Sequence, residues 1–262
     1  MTPLSIDNIK SIQLGILKEF VSYCDNVGLK YYLAYGTLIG AVRHKGYIPW
    51  DDDIDVIMPR PDYERFLSSY KNNRFKIFSP KNHSNCPIPY AKLYDDTTLI
   101  KERTDIKYTI GLNIDIFVLD GMPEDKSVAR RHIQKCCFWL KIIDIKKISL
   151  SSNRKWTRNV ILLLLKILVL PFPFSKCISR LVSLSKQYPF EKSSYCSDLS
   201  YTGALYMKKS VFGEGAKAEF EGYEYTIPSD FDSWLRWQYG DYMQLPPEEQ
   251  RVTHHAIQAW LK

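Results

Sequence analysis

The sequence lacks the cysteine patterns that mark a disulfide framework or a zinc site. Its 262 residues include six cysteines, none in a C-x-x-C pair or with zinc-ligand spacing. The N-terminal stretch MTPLSIDNIKSIQLGILKEF contains charges and is typical of an amphipathic helix, not of an apolar secretory leader. We therefore expect reduced, structural thiols in a cytoplasmic protein. The cysteines are Cys24, Cys86, Cys136, Cys137, Cys177 and Cys196.

The sequence also lacks an apolar run long enough to cross a bilayer. Its most hydrophobic stretch, Val160–Leu170, has 11 residues and is interrupted by Lys166, whereas a spanning helix needs about 20 apolar residues. The stretch is either a buried helix or a helix that lies in a membrane surface. Trp156 and the basic flanks favour a peripheral contact with the inner face of the cytoplasmic membrane, because anionic headgroups attract such clusters. The flanking residues are Arg154, Lys155, Arg158, Lys176 and Arg180.

Acidic residues are scarce in the middle of the chain. Residues 126–192 contain 15 Lys and Arg but only Asp144 and Glu191, a net charge of +13, whereas the whole chain has +7 and the remainder therefore −6. A membrane surface or a nucleic acid could bind such a basic segment. No recognised nucleic-acid motif accompanies the charge, so we expect no nucleic-acid partner.

Hydrophobic periodicity predicts an α+β (mixed α/β) fold with a helical, basic insertion and a C-terminal helical region. We expect a catalytic core at residues 1–125, a basic and mainly helical segment at 126–192, and a C-terminal part at 193–262 that completes the core. The expected helices are 5–27, a short helix from Thr37 to Arg43 that Thr37 caps or starts, one opened by Pro61, several in 126–190, and a final one from about residue 246. The expected strands are 31–35, 53–58, 75–79, 90–95 and 111–122.

Four aspartates lie within five positions in GTLIGAVRHKGYIPWDDDIDVIMPR, residues 36–60. If the chain is extended from Asp51 to Met58, then Asp51, Asp53 and Asp55 point to one side. Three carboxylates on one side repel each other unless a cation lies between them, and oxygen ligands suit Mg²⁺ or Mn²⁺. The alternative is a solvated acidic turn. The apolar residues that follow favour the metal site.

Two further features point to the same chemistry. Asp115 lies in the apolar strand NIDIFVLD, where a single carboxylate is costly to bury unless it is paired or binds a metal; a satisfied strand-edge aspartate is equally compatible. Gly36 and Thr37 lie between a strand and a short helix, where backbone amides can bind a phosphate. A strand, a Gly-Thr turn, a helix, D-x-D on the next strand and a later carboxylate together resemble the nucleotidyltransferase fold.

Three blocks of sequence narrow this resemblance. YLAYGTLIGAVRHKGYIPWDDDIDVIMPRPDYERF, NIDIFVLDGMP and YGDYMQLPPEEQRVTHH are similar to the LicD family, the phosphocholine transferases of bacterial surface glycans, whose core also occurs in the fukutin-related proteins. The resemblance implies transfer of a phospho-alcohol from a CDP-alcohol, typically CDP-choline, to a sugar hydroxyl, with release of CMP. Implied acceptors are glycans of lipopolysaccharide, teichoic acid or capsule, often lipid-linked. Alternatives are transfer of ribitol or glycerol phosphate, a nucleotidyltransferase acting on a small acceptor, and a non-catalytic glycan- or membrane-binding protein.

In such a transferase, Asp53 and Asp55, with Asp51, would hold Mg²⁺ or Mn²⁺ at the diphosphate. Asp115 would be a further ligand or the base for the acceptor hydroxyl. Gly36 and Thr37 would bind a phosphate.

Three basic residues precede the aspartates and are further candidates for the site. Arg43, His44 and Lys45 could bind the diphosphate or balance the charge on departing CMP. A salt bridge from Arg43 to the aspartates is equally compatible with the sequence, and His44 could instead be a supporting hydrogen-bonding residue.

The C-terminal block adds substrate-binding candidates. Tyr239 and Asp241 could form a turn that faces the substrate. His254 and His255 diverge by about 100° on a helix, so at most one, for which we take His254, faces the site. Choline requires an aromatic cage or a carboxylate, and the sequence does not choose among the aromatic candidates. They include Trp50, Tyr90, Tyr94, Trp234, Trp237 and Tyr239.

Overall fold

The chain contains both helices and strands, with runs of each. The computed structural model describes residues 2–101, 109–151, 154–251 and 258–262. The helices in these ranges are α1 (Ile6–Val27), α2 (Tyr35–Ile39), α3 (Arg60–Ser69), α4 (Lys126–Lys147), α5 (Trp156–Leu168), α6 (Phe174–Ser185) and α7 (Phe231–Tyr239). The strands there are β1 (Thr2–Pro3), β2 (Tyr32–Leu33), β3 (Asp55–Pro59), β4 (Phe75–Phe78), β5 (Ala91–Asp95), β6 (Thr98–Lys101), β7 (Asn113–Met122), β8 (Tyr195–Asp198), β9 (Met207–Lys208), β10 (Ala216–Phe220), β11 (Tyr223–Ile227) and β12 (Gln258–Leu261). This mixture confirms the predicted α+β fold.

A mixed sheet positions the predicted site. Its strand order is β2–β3–β7–β5–β4, and β8 pairs with the second half of β7 and with β9. Strands β3 and β7 are parallel, with Asp55 opposite Asp115, whereas the other pairs in this sheet are antiparallel. Because β3 lies between two neighbours, its apolar run from Val56 to Met58 is fully buried.

Helix α1 packs on this sheet and fixes the segment that leads into β3. The Ser5 hydroxyl accepts a hydrogen bond from the Asn8 amide at its start, and Gly28 ends it in the left-handed region, at φ 66°. Its apolar face is buried in the main core. From the same helix, the Gln13 side-chain amide donates to the Asp52 carbonyl over 3.0 Å. Helix α1 therefore holds the backbone of the aspartate run.

The basic segment leaves and rejoins the sheet at neighbouring strands. The antiparallel pairing of β7 with β8 places Met122 opposite Tyr195, and helices α4, α5 and α6 lie between these strands in the chain. Helices α4 and α6 bury their own apolar cluster, which includes Leu140, Ile143 and Leu181. The boundaries that we place at 125/126 and 192/193 stay predictions.

Helix α5 is exposed on most sides. Leu162 is its one buried residue, whereas Trp156 is 75%, Leu164 61% and Leu168 70% exposed. The buried-helix interpretation of this stretch is therefore wrong. In the described ranges, no helix combines the length and the apolar character that a membrane span requires.

Three local predictions are wrong. Residues 258–261 form strand β12, paired with β1 and β6, where we expected the final helix; pairing with distant strands overrides a local helical pattern. Thr37 does not cap the short helix, because Ala34 is its N-cap and Thr37 lies inside α2. A π-helical turn, Gly40–His44, continues from α2. The strand with the aspartates begins at Asp55, so Asp51 to Ile54 are not part of it.

Candidate active site

The two central parallel strands bring the aspartates together. Asp55 on β3 is directly opposite Asp115 on β7. The Thr37 hydroxyl accepts a hydrogen bond from the Asp55 amide over 2.8 Å, and the Asp115 amide donates to the Ile54 carbonyl over 2.9 Å. These hydrogen bonds hold the start of β3 against α2 and the start of β7 against the residue before β3.

Asp53, Asp55 and Asp115 line one cleft, and Asp51 interacts with Asp53 and Asp55, so the four form one carboxylate cluster. Burial, the charge of Asp53 and a hydrogen bond with Asp53 raise the pKa of Asp51 to about 7. Burial, followed by the charges of Asp53, Asp115 and Asp51, raises the pKa of Asp55 well above its usual range, and Lys92 opposes this shift. The repulsion that the alternating aspartates predict is therefore present, although the chain at Asp51 and Asp53 is not a strand.

Asp115 is held by two side chains from the neighbouring strand region. Lys92 Nζ lies 2.6 Å from one carboxylate oxygen, and the Tyr90 hydroxyl donates to the other over 3.1 Å. Lys92 also donates to the Asn113 side-chain oxygen over 3.1 Å. Both oxygens of Asp115 thus have partners.

This donor set fits a hard divalent cation. Within the described parts of the chain, no three acidic, histidine or cysteine side chains already stand as a ready metal-binding group. Asp51, Asp53 and Asp55 nevertheless supply oxygen ligands only, and their mutual repulsion is the electrostatic strain that a cation removes. Mg²⁺ or Mn²⁺ as the cofactor stays a prediction.

A cleft of about 480 Å³ opens in front of the cluster. Asp53, Asp55 and Asp115 line it together with five aromatic rings, which we call the aromatic wall: Tyr35, Tyr90, Phe117, Tyr201 and Tyr239. Helix α4 closes a further side with Leu140, Ile143, Asp144 and Lys147. The cleft can therefore hold a molecule that has both phosphate groups and an apolar or cationic end.

Gly36, on helix α2, contacts the cluster at Asp51. A Cβ atom at this position would lie 2.6 Å from Asp51 Oδ2, so the absence of a side chain lets the carboxylate approach α2. Thr37 is buried and its hydroxyl accepts from the Asp55 amide. These contacts give both residues a role in positioning aspartates, and phosphate binding by them stays a prediction.

Arg43, His44, Lys45 and Trp50 do not belong to the described lining of the cleft. Arg43 donates from Nε to His44 Nε2 over 2.9 Å and from its terminal nitrogen to the Tyr242 carbonyl. Burial and the Arg43 charge lower the pKa of His44, whose ring packs edge-on against Trp50. Lys45 lies 3.7 Å from Glu219. Diphosphate binding by this group stays a prediction.

The candidate residues of the C-terminal block do not all lie at the cleft. Tyr239 lines the cleft, and partial burial with the charges of Asp55, Asp51 and Asp53 raises its pKa. Asp241 is exposed and does not contribute to the described cleft lining. His254 lies outside the described residues.

Several residues that line the cleft or contact its lining were not predicted as site residues. Lys92 pairs in register with Asp115, and a lysine inside a short strand is the signal that could have suggested it. The Tyr35 hydroxyl donates to Asp198 over 2.6 Å, and burial raises the pKa of Asp198 to about 6. These two residues are 163 positions apart in the chain, so no local pattern could pair them.

A mixed sheet with paired carboxylates on adjacent parallel strands, facing a cleft, defines a transferase domain of nucleotidyltransferase type. Residues 28–138 match the family described as LicD/FKTN/FKRP, nucleotidyltransferase domain. The chain is also 32% identical over 270 aligned residues, all of both chains, to the lipopolysaccharide cholinephosphotransferase LicD of Haemophilus influenzae. The chain belongs to the LicD family.

Two further relatives are matched over shorter stretches. An uncharacterised protein of Rickettsia typhi is 38% identical over 74 residues, 27% of this chain and 24% of that protein. One of Rickettsia prowazekii is 28% identical over 112 residues, 42% of this chain and 39% of that protein. Neither suggests a different activity.

Proposed function

We propose that this protein transfers phosphocholine from CDP-choline to a hydroxyl of a bacterial surface glycan, most directly lipopolysaccharide, and releases CMP. The observation that carries the proposal is the cleft, which joins a carboxylate cluster to an aromatic wall. A full-length relative that is a lipopolysaccharide cholinephosphotransferase supports the same assignment. The reaction forms a bond from the acceptor oxygen to phosphorus and breaks the bond from phosphorus to the CMP oxygen, which keeps the electron pair.

We assign different roles to the four aspartates of the carboxylate cluster. Asp51, Asp53 and Asp55 would hold Mg²⁺ or Mn²⁺, which, when bound, neutralises the charge of the diphosphate. Asp115 takes the proton of the acceptor hydroxyl. A loose phosphoryl-transfer transition state demands little of this base, so a carboxylate that is ion-paired with Lys92 suffices. Tyr90 and Lys92 keep it in place.

CMP release from a panel of donors tests this function. The donors are CDP-choline, CDP-ethanolamine, CDP-glycerol and CDP-ribitol, each with lipopolysaccharide and with Mg²⁺, Mn²⁺ or EDTA. We expect release from CDP-choline that requires a divalent cation. Asp55→Asn should lower the rate by about 100-fold or more, because several kcal/mol of charge stabilisation are lost. Asp25→Asn, on the exposed side of α1, is the matched control.

Two outcomes would redirect the assignment. Release from CDP-ribitol or CDP-glycerol alone would keep the chemistry and change the donor. No CMP from any donor, with pyrophosphate released from CTP, would replace the proposal with a nucleotidyltransferase activity, which the same fold supports.

We also propose that helix α5 binds the cytoplasmic face of an anionic membrane, where the enzyme would meet a lipid-linked acceptor. The apolar face of α5 consists of Trp156, Ile161, Leu164, Ile167 and Leu168, all more than half exposed. Basic residues flank it, so an anionic bilayer complements both its apolar and its charged parts. Lys166 donates to the Lys146 carbonyl on α4, the helix that lines the cleft, so the membrane would lie beside the site.

A further inference from the structure

We propose that the aromatic wall of the cleft and Asp144 bind a quaternary ammonium group, the trimethylammonium end of the donor. This inference rests on the proposed function and adds the residues that select its substrate. Four rings carry it, Tyr90, Phe117, Tyr35 and Tyr201, which we call the aromatic row. All four line the cleft that also contains Asp53, Asp55 and Asp115.

The rings of the aromatic row are in continuous contact. The centroids of Tyr90 and Phe117 are 4.5 Å apart, those of Phe117 and Tyr35 are 5.1 Å apart, and those of Tyr35 and Tyr201 are 5.6 Å apart. Aromatic faces carry negative potential and attract a cation that approaches them. A row of such rings therefore offers a cationic, methylated group a surface that is apolar and electrostatically favourable at once.

Hydrogen bonds fix the row in place. The Tyr90 hydroxyl donates to Asp115, the Tyr35 hydroxyl to Asp198, and the Tyr201 hydroxyl to the Gln238 side chain. The three phenol protons are therefore used within the protein. Because the rings are held before the ligand arrives, little conformational freedom is lost on binding.

Asp144 of helix α4 supplies a negative charge to the same cleft. Helix α4 contains seven Lys or Arg residues, and Asp144 is its one acidic residue. It lines the cleft together with Leu140 and Ile143. Lys147, one turn further along α4, also lines the cleft, so the Asp144 carboxylate lies beside both apolar side chains and one cation, on a different element from the carboxylate cluster.

This arrangement selects a quaternary over a primary ammonium. A primary ammonium is strongly hydrated and requires hydrogen-bond acceptors in place of its water. The aromatic row offers it ring surfaces, and Asp144 is a single carboxylate for three N–H donors, whereas a trimethylammonium group has no N–H donor to satisfy. A neutral polyol gains no electrostatic attraction. We therefore expect binding to favour CDP-choline over CDP-ethanolamine, CDP-glycerol and CDP-ribitol.

Calorimetric binding without acceptor tests the site. The readout is the ratio of the Kd for CMP to the Kd for CDP-choline, since CMP reports the nucleotide half alone. We expect Tyr201→Leu and Phe117→Leu each to lower this ratio by about 10-fold, and Asp144→Asn by several-fold. Tyr201→Phe keeps the ring and should retain most of the ratio. Tyr223→Leu makes the same kind of change at an exposed position on β11 and should retain all of it.

The outcomes separate this proposal from the function on which it rests. If wild type releases CMP from CDP-choline while Tyr201→Leu and Phe117→Leu leave the ratio unchanged, the ammonium site is overturned and the transferase stands. If both variants weaken CMP and CDP-choline equally, the row supports the fold or the nucleotide, and the ammonium site is again overturned. A wild type that binds no CDP-alcohol overturns both.

Discussion

At the residue scale, the carboxylate cluster depends on two small neighbours. Gly36 leaves room for Asp51, and the Thr37 hydroxyl holds the amide of Asp55. Neither residue carries charge, yet each fixes a carboxylate whose position decides what the cleft can bind. Substitution of Gly36 or Thr37 therefore tests the position of the carboxylates while it leaves all four aspartates in the sequence.

We predict that Gly36→Ala lowers CMP release by at least about 10-fold, because the new methyl group displaces the Asp51 carboxylate. Gly15→Ala is the matched control: it lies in α1, nothing is within 4 Å of its Cβ position, and alanine should raise the free energy of unfolding by about 0.5–1 kcal/mol. Initial rates and urea unfolding of both variants check this. Full activity of Gly36→Ala would contradict the assigned position of Asp51.

At the element scale, α5 differs from its neighbours. Helices α4 and α6 bury apolar side chains in a shared cluster, but α5 adds little to it. A soluble surface rarely presents so many large apolar side chains together unless something covers them. Because basic residues flank α5, we expect an anionic lipid surface to cover these side chains.

We predict that the protein sediments with vesicles that contain phosphatidylglycerol, and much less with vesicles of phosphatidylcholine alone. The double variant Leu164→Glu/Leu168→Glu should reduce the bound fraction by at least about 10-fold, since each buried leucine contributes roughly 1.5–3 kcal/mol. Ile6→Glu, at a 48% exposed position on α1, should not reduce it. Equal sedimentation of wild type and double variant would rule out α5 as the membrane contact.

The local sequence pattern predicted helices and strands better than it predicted which segments pair with one another. Helix α1, strand β3 and strand β7 follow from periodicity and end signals in their own sequences, and so does the proximity of Asp55 to Asp115 once the strands are adjacent. The bonds of Lys92 to Asp115 and of Tyr35 to Asp198 depend on registers between distant segments. Strand β12 was missed for the same reason, because its pairing with β6 is set by the fold and not by its own residues.

At the scale of the whole molecule, the repulsion inside the carboxylate cluster opposes folding. A cation that binds the folded cluster and not the unfolded chain relieves it and adds free energy of unfolding by mass action. The free energy of unfolding of the whole chain thus reports whether a cation occupies the carboxylate cluster. This measurement requires neither CDP-alcohol donor nor glycan acceptor.

We predict that Mg²⁺ or Mn²⁺ at about 100 times its Kd adds about 2.7 kcal/mol to the free energy of unfolding. For a chain of this size the Tm should rise by about 5–10 °C. Differential scanning calorimetry of wild type, Asp53→Asn and the control Asp25→Asn, with and without EDTA, measures it. An equal rise in Asp53→Asn would show that the cation acts elsewhere.

The pairing of Met122 with Tyr195 also bears on how such a protein diverges. Since the basic segment departs and returns at adjacent points, natural variation can lengthen, shorten or replace it while the sheet keeps its register. Helix α4 of this segment forms one wall of the cleft, and the aspartates belong to the sheet. Descendants of one ancestor can thus inherit the same reaction and the same aromatic row, and change the α4 wall of the cleft, Asp144 included, by exchange of a single contiguous stretch.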